Sequence, residues 1–121
     1  LCELLTCVRI PLPAENHVAL FHKLGTRPAL DISTISIGIA GNLKDGRLSN
    51  VRVAFGAVAP TPIRASLKEK ALEGQRLDEA TIAKVADVAN DEVKPIDDVR
   101  ATAWYRKEMI HNITERMLWS L

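Results

Sequence analysis

At 121 residues the chain has the length of one domain and can bury roughly two thirds of the surface its unfolded form exposes, so a core without disulfide staples is within reach. Hydrophobic residues make up 47% and charged residues 26%, which excludes a disordered chain; 16 Lys and Arg against 15 Asp and Glu leave a formal charge of +1 and no basic surplus for a nucleic acid or an anionic membrane. Two cysteines, Cys2 and Cys7, cannot build the framework of a small secreted domain, so a reducing cytoplasm is the expected location. No apolar run approaches the ~20 residues that span a bilayer, and no basic segment leads into an apolar stretch at the start.

The chain opens on a strand-like run at residues 4–10, and its first methionine is Met109, so it is expected to be a piece of a longer polypeptide. Residues 6–10 and 18–24 are expected strands, separated by Pro11-Leu12-Pro13, whose prolines cannot donate to a ladder; the first is expected at a sheet edge. From Ile35, the alternation of Ile35, Ile37 and Ile39 with Ser36, Gly38 and Ala40 predicts a strand with one buried face, and Val51, Val53 and Phe55 repeat the pattern. Asp45-Gly46 between them suits a turn needing positive φ at both central residues, which predicts a hairpin.

Beyond residue 57 or so the pattern turns helical. Thr61 as N-cap and Pro62 at the first helical position predict helix one over residues 62–73, with Ile63, Leu67 and Ala71 on one face and Gly74 as its stop. Helix two is expected after Asp78, with an apolar stripe of Ile82, Val85, Ala86, Ala89 and Val93, ending before Pro95. Helix three is expected from about Asp98 toward Leu121, with Tyr105, Met109, Ile113, Met117 and Leu121 every fourth residue. Strands first and helices after predict an α+β fold, a small mostly antiparallel sheet packed on about three helices.

Cys2, Cys7, His17 and His22 superficially suggest a zinc site, but each like pair is five apart, and an odd separation in a strand sends side chains to opposite faces. No metal ligands are assigned. Gly38 and Gly41 lie in and just after a strand with no helix N-terminus behind them, so no phosphate loop is read there, and no nucleophile sits in a strand-turn-helix elbow. Asn112-Ile113-Thr114 matches a glycosylation acceptor inside helix three and is taken as incidental, while Trp104, Tyr105 and Trp119 are expected in the core or an interface.

Several segments, in order, resemble the C-terminal domain of the FAD-binding (medium) subunit shared by xanthine dehydrogenases and carbon monoxide dehydrogenases, a family of molybdenum hydroxylases. They are Glu3-Leu4-Leu5-Thr6-Cys7-Val8-Arg9-Ile10-Pro11, then residues 21–33 with Lys23, Gly25, Arg27 and Asp31-Ile32, then Val53-Ala54-Phe55-Gly56-Ala57-Val58-Ala59-Pro60-Thr61-Pro62-Ile63-Arg64-Ala65. Pro95-Ile96-Asp97-Asp98-Val99-Arg100 and Ala103-Trp104-Tyr105-Arg106 complete the match.

The resemblance implies one domain over residues 1–121, an α+β sandwich flanking a flavin whose FAD is gripped mainly by two preceding lobes absent from this sequence. It implies a cofactor-flanking role for Lys23 near the isoalloxazine, Arg27 near the acceptor site and Asp31 at the loop's end, and no catalytic or metal-binding residue. Partner subunits would carry the molybdenum cofactor and the 2Fe-2S iron–sulfur clusters, with the flavin passing electrons to NAD or another acceptor. The isolated domain is expected to have no catalysis of its own. For Arg27 and Asp31 a plain alternative stands beside this one: a solvated strand-end charge and a turn cap. Two other classes remain open, a stand-alone module docking a partner through helix three and a small independent enzyme.

Overall fold

The structure, a computed structural model, describes residues 3–121, the side chains of residues 89 and 90 excepted. Four strands, β1 (His17–Leu24), β2 (Ile35–Lys44), β3 (Arg47–Gly56) and β4 (Ile63–Arg64), form one sheet in that order, every pair antiparallel. Three helices follow: α1 (Ser66–Leu72), α2 (Glu79–Glu92) and α3 (Ala103–Trp119). The expected α+β sandwich is therefore what the chain forms.

The predicted hairpin is present. Asp45 and Gly46 both sit at positive φ, 52° and 73°, and join β2 to β3 so that Lys44 faces Arg47. A bulge between Ala40 and Asn42 falls at Gly41, where a Cβ would come within 3.0 Å of the Ser49 carbonyl oxygen. Ile35, Ile37 and Ile39 of β2 and Val51, Val53 and Phe55 of β3 are buried on the face that carries the helices. Leu72, Ile82, Val85, Ala86, Val93, Ile110, Ile113, Met117 and Leu118 close the core from the other side. Asp78 caps α2, accepting from the Thr81 amide at 2.8 Å, and its stripe is as read except Ala89, whose side chain lies outside the described set.

Three expectations are corrected. Residues 6–10 form no strand: Leu4, Leu5, Val8, Ile10 and Leu12 are all exposed, and the edge strand is β1. Apolar, β-prone residues make a strand only against a partner, and among the described residues none pairs with this segment. Helix one does not start at Pro62. Ile63 pairs with Phe55 and Arg64 with Ala54, and the Ala65 amide donates to the Val53 carbonyl at 2.9 Å, so sheet bonds claim the backbone that would have opened the helix.

With α1 starting at Ser66, Leu67 faces out and Lys68 and Leu72 face in, while Gly74 at φ 70° still ends it. Helix three starts at Ala103, capped by Thr102, because Asp98 instead accepts from the Arg100 and Ala101 amides in a tight turn. Of the two places expected for the helix-three aromatics, the core is excluded and an interface is left, since Trp104 and Trp119 are 70% and 56% exposed and Tyr105 is exposed too.

Candidate functional site

β1 alternates, with Val18, Leu20, His22 and Leu24 toward the helices and Ala19, Phe21 and Lys23 toward the bare face of the sheet. It runs into a loop closed at its base by the Thr34 amide donating to the Leu24 carbonyl at 2.8 Å. Inside the loop the Asp31 carboxylate accepts from the Thr26 amide, from Thr26 Oγ1 at 3.1 Å and from the Arg27 amide at 3.2 Å. The Thr26 amide bond, above all, holds the Asp31 carboxyl below the usual range; partial burial opposes it, and the Thr26 hydroxyl, the Arg27 amide and the Arg27 charge add to it. Gly25 makes room for this arrangement, since a Cβ there would lie 2.5 Å from Asp31 Oδ2.

The loop also gathers the two cations. Lys23 Nζ donates to the Asp31 backbone carbonyl at 2.5 Å, and Arg27 Nη2 donates to the carbonyl of Leu30, a residue at φ 52°. Lys23, Arg27 and Asp31 are thus brought together, with different employment. Asp31 is spent as the organiser of the turn, whereas Lys23 is exposed, its ammonium has three donors, and one of them is used in this contact.

Sequence reading missed Phe21. Its ring is 73% exposed, two residues from Lys23 on the same face, and it pairs with Gly38 of β2, where an added Cβ would meet nothing within 4 Å. Gly38 in turn pairs with Ala54, and Ala19 with Ala40. The outer face therefore has a floor of Gly and Ala, with Phe21 and Lys23 on the β1 side and Arg52 and Arg64 on the other. A strand glycine with nothing to clear inside its own chain marks a place where something else can approach closely. The available signal was the period-two pairing of Phe21 with Lys23.

Of the apparent zinc set, Cys7 is exposed and free, His17 and His22 fall on opposite faces of β1, and Cys2 lies outside the described residues. Among the described residues no three His, Cys, Asp or Glu side chains are grouped to hold a metal, and no helix is long and apolar enough to cross a membrane.

Residues 20–121 match the family described as the CO dehydrogenase flavoprotein C-terminal domain. The xanthine dehydrogenase FAD-binding subunit of Escherichia coli O157:H7 is 32% identical over 117 residues, covering 96% of this chain and 40% of that protein. The carbon monoxide dehydrogenase medium chain of Afipia carboxidovorans is 32% identical over 107 residues, covering 88% and 37%. Among solved structures, carbon monoxide dehydrogenase from Hydrogenophaga pseudoflava, in a form lacking the Mo-pyranopterin moiety, superposes with a TM-score of 0.83 at 28% identity, over 92% of this chain and 39% of that one. The chain spans about two fifths of the length of these relatives. Family match, sequence identity and fold agree over the same stretch, and the chain belongs to the CO dehydrogenase flavoprotein C-terminal domain family.

Proposed function

We propose that this domain is the C-terminal part of the FAD-binding subunit of a molybdenum hydroxylase of the xanthine dehydrogenase type, in the cytoplasm, where it walls one side of the flavin. The observation that carries the reading is the exposed Lys23 ammonium, tethered to the Asp31 carbonyl at the rim of a flat small-residue floor with Phe21 beside it. Such a surface suits a planar heterocycle: Phe21 offers a ring to lie against it, and Gly38 and Ala54 leave room. FAD, when bound, supplies the redox chemistry that links the 2Fe-2S clusters and molybdenum cofactor of partner subunits to NAD or another acceptor.

The chain's own residues would hold and tune. Lys23 places a fixed positive charge where the reduced ring gains negative charge, and the closed loop keeps that ammonium from wandering. Arg27 lies at the loop's exposed edge, toward an incoming acceptor, and Asp31 fixes both by shaping the turn. Nothing in this arrangement pairs a nucleophile with a base, so the domain is read as having no turnover by itself. The test compares flavin absorbance of the longer subunit with that of the 121-residue chain. Yellow protein is expected only for the longer one, and stoichiometric flavin on the short chain overturns the reading.

A second reading, a stand-alone interaction module, draws on Trp104 and Trp119, which leave α3 with two exposed indoles. The parent reading frame separates the two: flavin-binding glycine loops upstream favour the first, an initiator beside Leu1 the second.

A further inference from the structure

The helix-bearing side of β1 carries a cleft whose floor and α3 flank the flavin reading does not use, although Lys23 and Arg27 reach its rim. It has a volume of about 740 Å³ and lies between the end of β1 with its following loop and the stretch of α3 from Met109 to Arg116. Its floor is apolar: Leu24 comes from the inward-facing positions of β1, and Met109 and Ile113 stand four apart on α3. Asn112 and Arg116, also four apart, set an amide and a guanidinium along the same stretch of helix. His22, two residues before Leu24 and on the same side of the strand, completes the polar flank.

The charges there are of one sign. Lys23, Arg27 and Arg116 line the cleft and no Asp or Glu does, although the chain holds 15 acidic residues. Lys23 and Arg27 donate to backbone carbonyls, and the Asp31 carboxylate inside the loop offsets part of the Arg27 charge, which leaves Arg116 as the cation without a carboxylate beside it among the described residues. Arg116 forms no ion pair among the described residues; its Nη2 lies 3.3 Å from His22 Nε2 and 3.5 Å from Nδ1 instead. A guanidinium whose neighbour is an imidazole keeps its five-donor fork available for a carboxylate or phosphate, the groups it binds best. Cations of like sign around a low-dielectric floor also raise the local concentration of anions.

We propose that this cleft binds a small amphipathic organic anion, an aryl or alkyl phosphate or carboxylate. The apolar body lies on Leu24, Met109 and Ile113, and the anionic group on Arg116 with His22 and Asn112 beside it. An inorganic anion uses the polar flank alone, and a neutral aromatic uses the floor alone, so each binds more weakly than a ligand carrying both. The groups assigned to the ligand, Arg116, His22, Asn112 and the apolar floor, lie on the opposite side of β1 from Phe21, so the proposal does not rest on the flavin reading, although the rim cations Lys23 and Arg27 are common to both.

Phenyl phosphate, inorganic phosphate and phenol serve as the three probes, titrated into the isotope-labelled 121-residue chain and followed through its amide and Arg side-chain NMR signals. Phenyl phosphate is expected to saturate shifts at Asn112 and Arg116 at least about tenfold more tightly than inorganic phosphate, with no saturable response to phenol. Arg116→Gln, at an exposed position, is expected to weaken phenyl phosphate by about tenfold or more; Met109→Ala is expected to bring it near the inorganic phosphate value without changing the latter; Lys84→Gln on α2 is expected to change neither. Absence of saturation by phenyl phosphate, equal affinity for the two phosphates, or an unaltered Arg116→Gln variant overturns the proposal. A flavin-free longer subunit leaves these constants untouched, so the two readings fail separately.

Discussion

Lys68 Nζ donates to Thr114 Oγ1 at 2.7 Å with both residues fully buried, which joins α1 to α3 through an amine set inside the core. The Phe55 ring lies 4.9 Å from that nitrogen, and burial pushes the Lys68 pKa down to about 7, with Glu92 pulling the other way. The sign follows from the unfolded chain, where the amine titrates near 10.5. Between those values the unfolded state binds more protons, so stability rises with pH across the window and the full penalty stands below pH 7.

Wild-type protein is thus expected to gain stability, on the order of a few kcal/mol, from pH 7 to pH 10. Lys68→Met, which fits the same slot without a charge, should be more stable than wild type at pH 6 and lose that advantage by pH 10. Urea unfolding of both proteins at the two pH values measures this, and groups common to both cancel in the difference. Parallel pH profiles for the two proteins would mean that the amine is charged in the fold.

The second prediction concerns the short β4, which leaves most of the β3 edge without a strand. Carboxylates from α1 and its C-terminal cap take its place: Glu73 accepts from the Asn50 and Val51 amides at 2.9 Å each, and Glu69 from the Val53 amide at 2.8 Å. The Val51 and Asn50 amides hold the Glu73 carboxyl below its usual 4.5, so the stabilisation is present above that value and is lost as pH falls through the lower folded pKa. Glu73→Gln is expected to raise amide exchange at Asn50 and Val51 while leaving Ile37 and Ile39 protected. Wild type should show the same local loosening in acid before the sheet as a whole unfolds.

A third prediction tests the loop. If the Asp31 carboxylate organises it, then crowding that group should act like removing it, because Gly25 and Asp31 Oδ2 compete for one volume. Gly25→Ala and Asp31→Asn are each expected to speed exchange at the Thr26 and Arg27 amides, and the double variant should add little to either. Additive effects would show that the two residues act independently.

These cases also show which parts of the molecule were legible beforehand. Period-two isoleucines, Asp45-Gly46 and Asp78 act through neighbours in the chain, so β2, β3, their hairpin and the start of α2 could be read directly. Thr61-Pro62 carries an equally good helix-start signal, yet pairing between Ile63 and Phe55 overrides it, and no local rule contains that pairing. Residues 6–10 show the converse, strand propensity without a partner. Nothing local marks Lys68 and Arg106 for burial, because only their packed neighbours produce it. At the site, Lys23, Arg27 and Asp31 came from resemblance, but His22 and Arg116 are 94 residues apart and meet only when α3 crosses the sheet.

Arg106 connects that core to the loop and gives the last prediction. It is 4% exposed; its Nη1 donates to the Thr34 carbonyl at 2.9 Å and the Ala57 carbonyl at 2.6 Å, and its Nη2 lies 2.7 Å from Asp98 Oδ2. Thr34 is the residue whose amide closes the loop onto Leu24, and Ala57 holds φ 61°, a conformation an alanine keeps only when its surroundings impose it. One guanidinium therefore fixes the return of the loop, the exit from β3 and the turn before α3. Arg106→Met is expected to cost roughly 3 kcal/mol through two lost charge-assisted bonds and the lost ion pair to Asp98, and Arg106→Lys to recover less than half, since an ammonium cannot fork to three sites in one plane. Denaturant midpoints give the cost, and amide exchange at Thr34, Thr26 and Arg27 shows whether it reaches the loop. A loss of stability with those three amides still protected would separate the core clamp from the site it is argued to support.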